Sequence, residues 1–155
     1  MIYNPHLYLT NFNLDPKEEL TGYVSGQKAS DLEERSARAL TKLEIDYTFR
    51  ARISPLSGLT EAHENIVGEV EIDFLCMYYG KIYPVNIQGE ISHFYASWQR
   101  VEDDEKEAKI NKALEPYKAH PLVLLPYWRL STQLLANQTF RLGFTSGWLT
   151  KFYED

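Results

Sequence analysis

The sequence of 155 residues contains a single cysteine, Cys76, which excludes an internal disulfide and a zinc site built from several cysteines. Its apolar neighbours Phe74, Leu75 and Met77 favour a small core residue over a nucleophile. No apolar stretch reaches the length of a membrane span, and the N-terminus lacks a basic segment followed by an apolar one. We therefore expect a cytoplasmic protein without a membrane partner.

Positive charge is also scarce in this chain. Sixteen Lys and Arg residues stand against 22 Asp and Glu residues, a net charge of −6. Proteins that hold nucleic acid over a broad surface usually present a basic face, so the total charge argues against such a surface. It does not exclude a local basic patch, and a metal site lined by carboxylates is itself acidic.

The remaining composition is that of one globular domain. The chain is long enough to bury a core, and its 44% apolar and 25% charged residues are ordinary for a soluble domain. No repeat, low-complexity tract or linker divides it. Turn signals at Asn4-Pro5 and Asp15-Pro16 indicate an irregular N-terminal extension over residues 1–24 of a single domain, 1–155.

A helix is predicted from Ser30 to about Leu43. Ser30 is followed three residues later by Glu33, which is the spacing of a capping box. Four apolar residues at helical spacing form the predicted core-facing stripe: Leu32, Ala39, Leu40 and Leu43.

Three strands are predicted next, over 45–53, 68–77 and 81–90, because apolar and polar residues alternate in each. Tyr79-Gly80 marks the turn between the second and third strands, which form a hairpin. The polar face of the second strand carries Glu69, Glu71 and Asp73, and that of the third carries Asn86, Gln88 and Glu90.

A charged helix over about 101–117 should lead by a right-handed crossover to a buried strand at 121–127. A short helix is predicted at 130–138, and the tail from 140 onward is expected to add a strand or to pack as a cap. The order is helix, three strands, helix, strand, which predicts an α/β sandwich with a mixed sheet.

The hairpin concentrates the residues that carry chemistry. Magnesium and manganese prefer hard oxygen ligands, usually one or two carboxylates with water and substrate phosphate. Asp73 on one strand and Asn86 or Gln88 on the next can converge on one ion. The alternative is a solvated polar face, which is common in antiparallel sheets.

The chain resembles the PD-(D/E)xK nuclease superfamily in three features: Glu34 in the first helix, G-E-V-E-I-D-F at 68–74 and V-N-I-Q-G-E at 85–90. The resemblance implies a restriction-endonuclease-like α/β/α sandwich with a mixed central sheet, in which Asp73 holds the metal. The second motif departs from the family, since Asn86 stands in the place of its acid and Gln88 in the place of its lysine.

The segment Q-G-E-I-S-H at 88–93 is similar to a subgroup near the very-short-patch mismatch-repair endonucleases. Gly89 and His93 match that subgroup, whereas Ser92 stands where a tryptophan is common. The resemblance implies that a helix acid and the histidine assist the site and that a main-chain carbonyl completes the metal shell. These roles fall to Glu34, His93 and the strand around Ile87.

The function so implied is metal-dependent hydrolysis of DNA phosphodiester bonds, in repair, recombination or a mobile element, on branched, mismatched or duplex DNA. Mg²⁺ or Mn²⁺ is the implied cofactor, and a homodimer is possible. The implied catalytic residues are Glu34, Asp73, Gln88 and His93, the metal ligands Asp73, Ile87 and Glu90, and the phosphate contacts Lys106 and Lys109.

Other interpretations stay open. Glu34 is also explained as a charge that complements the helix dipole, His93 as a structural histidine, and Lys106 with Lys109 as a solvated helix face. The departures at Asn86 and Gln88 fit a nuclease-like domain that no longer cuts and binds nucleic acid or protein. A metal-independent subunit of a larger assembly is the third hypothesis.

Overall fold

The structure, a computed structural model, describes residues 19–54, 58–59, 70–88 and 97–148. Its elements in chain order are β1 (Tyr23–Val24), β2 (Gln27–Lys28), α1 (Asp31–Lys42), β3 (Asp46–Ser54), β4 (Gly58–Leu59), β5 (Val70–Tyr78), β6 (Lys81–Gln88), α2 (Ser97–Leu114), β7 (Val123–Pro126) and α3 (Gln133–Ser146). Short 3-10 helices at Glu115–Tyr117 and Tyr127–Leu130 follow α2 and β7.

Helix α1 begins where the capping box predicts. The Ser30 hydroxyl accepts the backbone N–H of Glu33 at 3.2 Å, and the Glu33 carboxylate accepts the backbone N–H of Ser30 at 2.9 Å. The predicted apolar stripe is confirmed. Ala39 and Leu40 are fully buried, and Leu32 and Leu43 pack against the same core.

The main sheet of the described residues has the order β4-β3-β5-β6-β7. β3, β5 and β6 pair antiparallel, whereas β6 and β7 pair parallel after the connection through α2. The predicted mixed α/β architecture is therefore confirmed, with β1, β2 and the two-residue β4 added to the predicted elements.

Helices cover both faces of this sheet. Val123 and Leu125 of β7 pack in a core with residues of α1 and α3, such as Leu40 and Phe140. Leu124, which points the other way, packs with residues of α2 such as Ile110 and Leu114. α1 and α3 thus lie on one face and α2 on the other.

Several predicted boundaries differ from the structure. α3 runs from Gln133 to Ser146, so the helix predicted at 130–138 begins later and ends later than expected, and 140–146 is helix and not strand. It ends at Gly147, whose φ of 68° is the left-handed conformation that glycine adopts at helix ends. Tyr23–Val24 is a strand, so the predicted irregular extension ends earlier than residue 24; residues 1–18 lie outside the described part. Within that part, no helix is both long enough and apolar enough to cross a bilayer.

Candidate metal site where two strands diverge

Strands β5 and β6 separate at Asp73. Their backbone pairing ends at Phe74 and Val85, after which β5 continues beside β3 and β6 continues beside β7. Two hydrogen bonds that use side chains span the gap. The Asp73 N–H donates to Asn86 Oδ1 at 2.9 Å, and the Ile87 N–H donates to Asp73 Oδ2 at 2.7 Å. They hold the end of β6 against the Asp73 carboxylate.

The side chains of β5 alternate between the two faces of the sheet, and this alternation is interrupted at Asp73. Ile72 packs in the core under α2, whereas Phe74 packs in the core under α1 and α3, although residues two apart in a regular strand share a face. Arg50 of β3 falls between the Phe49–Phe74 and Ala51–Ile72 pairs of the register and has a φ of 55°, a conformation that residues other than glycine rarely adopt. The irregularity therefore involves both neighbouring strands and is centred on Asp73.

The divergence leaves a cavity of about 140 Å³. Its polar wall consists of Asp73, Asn86, Gln88 and Lys106, with the backbone of β6 at Ile87 and an apolar floor of Leu122 and Leu124. One water needs only about 10–15 Å³ of such space, so the cavity has room for an ion together with several waters.

The Asp73 carboxyl has an unusual proton affinity. Burial raises its pKa from 3.8 to about 6, and the nearby charges of Glu33 and Glu71 act in the same direction. The Ile87 N–H and the Lys106 ammonium favour the ionised form and oppose this rise. A carboxyl with a pKa of about 6 changes its protonation state close to neutral pH, and a bound cation would favour its ionised form.

The residues present fit a magnesium or manganese ion held by few protein ligands. The hard oxygens at the cavity are the Asp73 carboxylate, the amides of Asn86 and Gln88, and backbone carbonyls of β6. Asn86 Oδ1 is already engaged by the Asp73 N–H. In the described segments no three His, Cys, Asp or Glu side chains cluster as metal ligands. Magnesium is commonly held by one or two carboxylates and retains several waters.

The structure brings four predicted site residues together: Asp73, Ile87, Gln88 and Lys106. Lys109 is exposed on α2 and does not line the cavity. Glu90 and His93, which were predicted as a metal ligand and a catalytic histidine, lie outside the described residues.

Glu34 is placed elsewhere, in a second cavity that Asp73 does not line. Glu34 is 4% exposed, and its carboxylate accepts the backbone N–H groups of Thr21 at 2.9 Å and Gly22 at 2.8 Å. It also pairs with Arg38 at 3.0 Å. Burial raises its pKa, but these hydrogen bonds and the Arg38 charge outweigh burial, so the pKa lies below its usual value. These contacts give Glu34 a structural task, and its catalytic role stays a prediction.

Glu33 is the acid of α1 whose negative charge contributes to the raised pKa of Asp73. From the sequence, Glu33 was assigned only to the capping box. Its carboxylate also lies 3.6 Å from the Arg50 guanidinium, which donates to the Lys28 carbonyl. The sequence gives one signal for the pairing of Glu33 with Arg50: Arg50 falls on the polar face of the strand predicted at 45–53.

The chain was compared with protein-family models, curated proteins and solved structures, and none of them matches it.

Proposed function

We propose that this protein is a metal-dependent nuclease that hydrolyses DNA phosphodiester bonds at the Asp73 cavity, on a restriction-endonuclease-like fold. The observation that carries the proposal is the divergence of β5 and β6 at Asp73, which sets a carboxylate, two amides and a lysine around a small cavity. The order helix, three strands, helix, strand and the helices on both faces of a mixed sheet support the fold assignment.

Asp73 and the main-chain carbonyl of Ile87 would hold Mg²⁺ or Mn²⁺, and Glu90 is a further proposed ligand. When bound, such an ion supplies a water of lowered pKa and neutralises charge on the phosphate. The Ile87 N–H fixes the orientation of the Asp73 carboxylate. Leu122 and Leu124 supply the apolar part of the cavity lining.

Polar residues of the wall have more limited roles. Gln88 carries no charge and transfers no proton, so its amide orients water or a phosphate oxygen. Lys106 attracts the substrate phosphate to the cavity. His93 is proposed as the general base or as the group that stabilises the leaving oxygen.

The test is cleavage of labelled single-stranded, duplex, mismatched and four-way-junction DNA with Mg²⁺ or Mn²⁺. Wild type is compared with Asp73→Asn, which preserves the shape of the side chain and the acceptor for the Ile87 N–H. Asp46→Asn is the matched control because Asp46 is an exposed acid at the far end of the same sheet. We expect metal-dependent cleavage that falls at least about 100-fold in Asp73→Asn and is unchanged in Asp46→Asn.

A domain that binds but does not cut is the second candidate, and one contact favours it. Asn86 occupies the place of a second acid, and its amide oxygen is engaged by the Asp73 N–H. Folded wild-type protein that retards DNA in a gel but cleaves none of the four substrates would establish this candidate and overturn the first.

A further inference from the structure

Lys106 is the single cation among the described residues that line the Asp73 cavity. It belongs to α2, whereas the three other polar side chains of the wall belong to β5 and β6. Gln88, at the end of β6, contributes a neutral amide to the same wall. The positive charge at this cavity therefore comes from the helix that covers the sheet and not from the strand.

The packing of α2 holds Lys106 in this place. Ile110 is fully buried and Leu114 is 1% exposed, and both pack in the core that contains Ile72. Lys106 precedes Ile110 by four residues, so it lies on the same side of the helix, about one turn nearer the N-terminus. Lys106 and Lys112 are both exposed on α2, but Lys106 lines the cavity and Lys112, nearer the C-terminus of the helix, does not.

We propose that Lys106 is a catalytic residue of this site, which contacts the scissile phosphate and stabilises the charge that develops on it. This inference rests on the proposed nuclease function. In the reaction a water oxygen forms a bond to phosphorus as the bond from phosphorus to the leaving sugar oxygen breaks. The proton that the water loses is balanced by the proton that the leaving oxygen takes up. Lys106 remains protonated throughout and acts by its charge and its N–H donors.

A fixed cation at the reacting phosphate lowers the barrier more than a cation elsewhere on the surface. Lys106 should therefore affect the cleavage rate of bound DNA, whereas Lys112, a lysine of the same helix outside the cavity, should not. Moving the cation from α2 to β6 should preserve the chemistry in part, because Gln88 and Lys106 line one cavity. This expectation provides a test by rescue.

The experiment measures single-turnover cleavage at saturating protein for wild type, Lys106→Met, Lys106→Arg and the matched control Lys112→Met, at an exposed lysine in the last turn of α2. We expect a rate at least about 100-fold lower for Lys106→Met, partial activity for Lys106→Arg, and a rate within about twofold of wild type for Lys112→Met. The double variant Lys106→Met with Gln88→Lys should regain at least about tenfold over Lys106→Met. Circular dichroism verifies the fold of each variant.

Binding of Mn²⁺ alone, measured by electron paramagnetic resonance, gives a readout without turnover. Lys106→Met should bind Mn²⁺ at least as tightly as wild type because a repelling charge is removed, whereas Asp73→Asn should bind it weakly. If wild type cleaves and Lys106→Met cleaves equally fast, the role of Lys106 is wrong and the nuclease function stands. If wild type cleaves none of the substrates, the nuclease function fails and the role of Lys106 fails with it.

Discussion

The backbone N–H of Asp73 donates a 2.9 Å hydrogen bond to the side-chain Oδ1 of Asn86 across the gap between β5 and β6. Asn86 is 7% exposed, and its amide takes the place of a backbone hydrogen bond in the interrupted strand pair. A neutral side chain at this position keeps a second negative charge away from a carboxyl that is already difficult to ionise. Among the described residues that line the cavity, Asp73 is therefore the one acid.

An acid in place of Asn86 should make the stability of the fold depend on a bound metal ion. Asn86→Asp retains an acceptor for the Asp73 N–H but sets two carboxyls together, so without metal we expect a loss of about 1–3 kcal/mol near pH 8. A divalent cation between the two carboxylates should reverse the loss. The measurement is thermal unfolding with EDTA and with Mn²⁺. Asn86→Ala is the control, since its loss of the acceptor should persist with metal; equal losses for Asn86→Asp in both conditions would contradict the proposed ion site.

Asp73 should destabilise the fold at neutral pH when no metal is present. Its pKa is raised from 3.8 to about 6, so the folded state binds more protons than the unfolded state between these values. Stability should fall as pH rises through this window, by up to roughly 3 kcal/mol above pH 6. Asp73→Asn should lack this loss, so its advantage over wild type in urea unfolding with EDTA should be larger at pH 8 than at pH 4. An advantage that does not change with pH would refute the assignment.

Glu34 should stabilise the fold and leave the cavity chemistry unaffected. Replacement by Gln removes the charge that accepts the N–H groups of Thr21 and Gly22, and we expect a loss of about 2–4 kcal/mol at pH 7. Because the pKa of Glu34 is lowered, its contribution is present above its ordinary pKa and is lost as pH falls below that value. Urea unfolding of Glu34→Gln and wild type should therefore converge in acid. Glu105→Gln, at an exposed site of α2, is the control and should behave as wild type at both pH values.

Gly143 should not tolerate a methyl group. A Cβ at this position would overlap the ring of Trp148, which is buried and packs edge-on against Phe140 and Phe144. Alanine gains about 1 kcal/mol of helix propensity, but displacement of the indole should leave a net loss of about 1–2 kcal/mol. Urea unfolding measures the loss, and tryptophan fluorescence reports the displacement. Thr145→Ala, at an exposed position of the same helix turn, should show neither effect.

Local patterns predicted much of the fold because their physical causes are local. The capping box of Ser30 and Glu33 placed the start of α1, and the apolar alternation of β5 placed Ile72 and Phe74 in the core. The convergence of Asp73 with residues of β6 followed from the same alternation. Each of these features needs only neighbouring residues or a hairpin partner.

The remaining features depend on contacts between distant segments. Nothing in the sequence near Arg50 indicates its positive φ or the change of face at Asp73. Asn86 was predicted on the polar face of its strand, but it is buried and lines the cavity together with Lys106 of α2 and Leu124 of β7. Thr139 and Gly143 are weak helix formers, yet α3 continues through both because burial against the core stabilises the helix.

The parallel pairing of β6 with β7 has a consequence for the order of assembly. β3, β5 and β6 form a meander, and a tight turn joins β5 to β6. The pairing of β6 with β7, for example of Val85 with Val123, joins residues that are separated in sequence by the whole of α2. Contacts that close long loops form later than hairpin contacts. The cavity needs Lys106, Leu122 and Leu124 from this late segment, so we expect the site to become competent only in the final step of folding. A nascent or locally unfolded chain would then carry Asp73 without the groups that make it reactive.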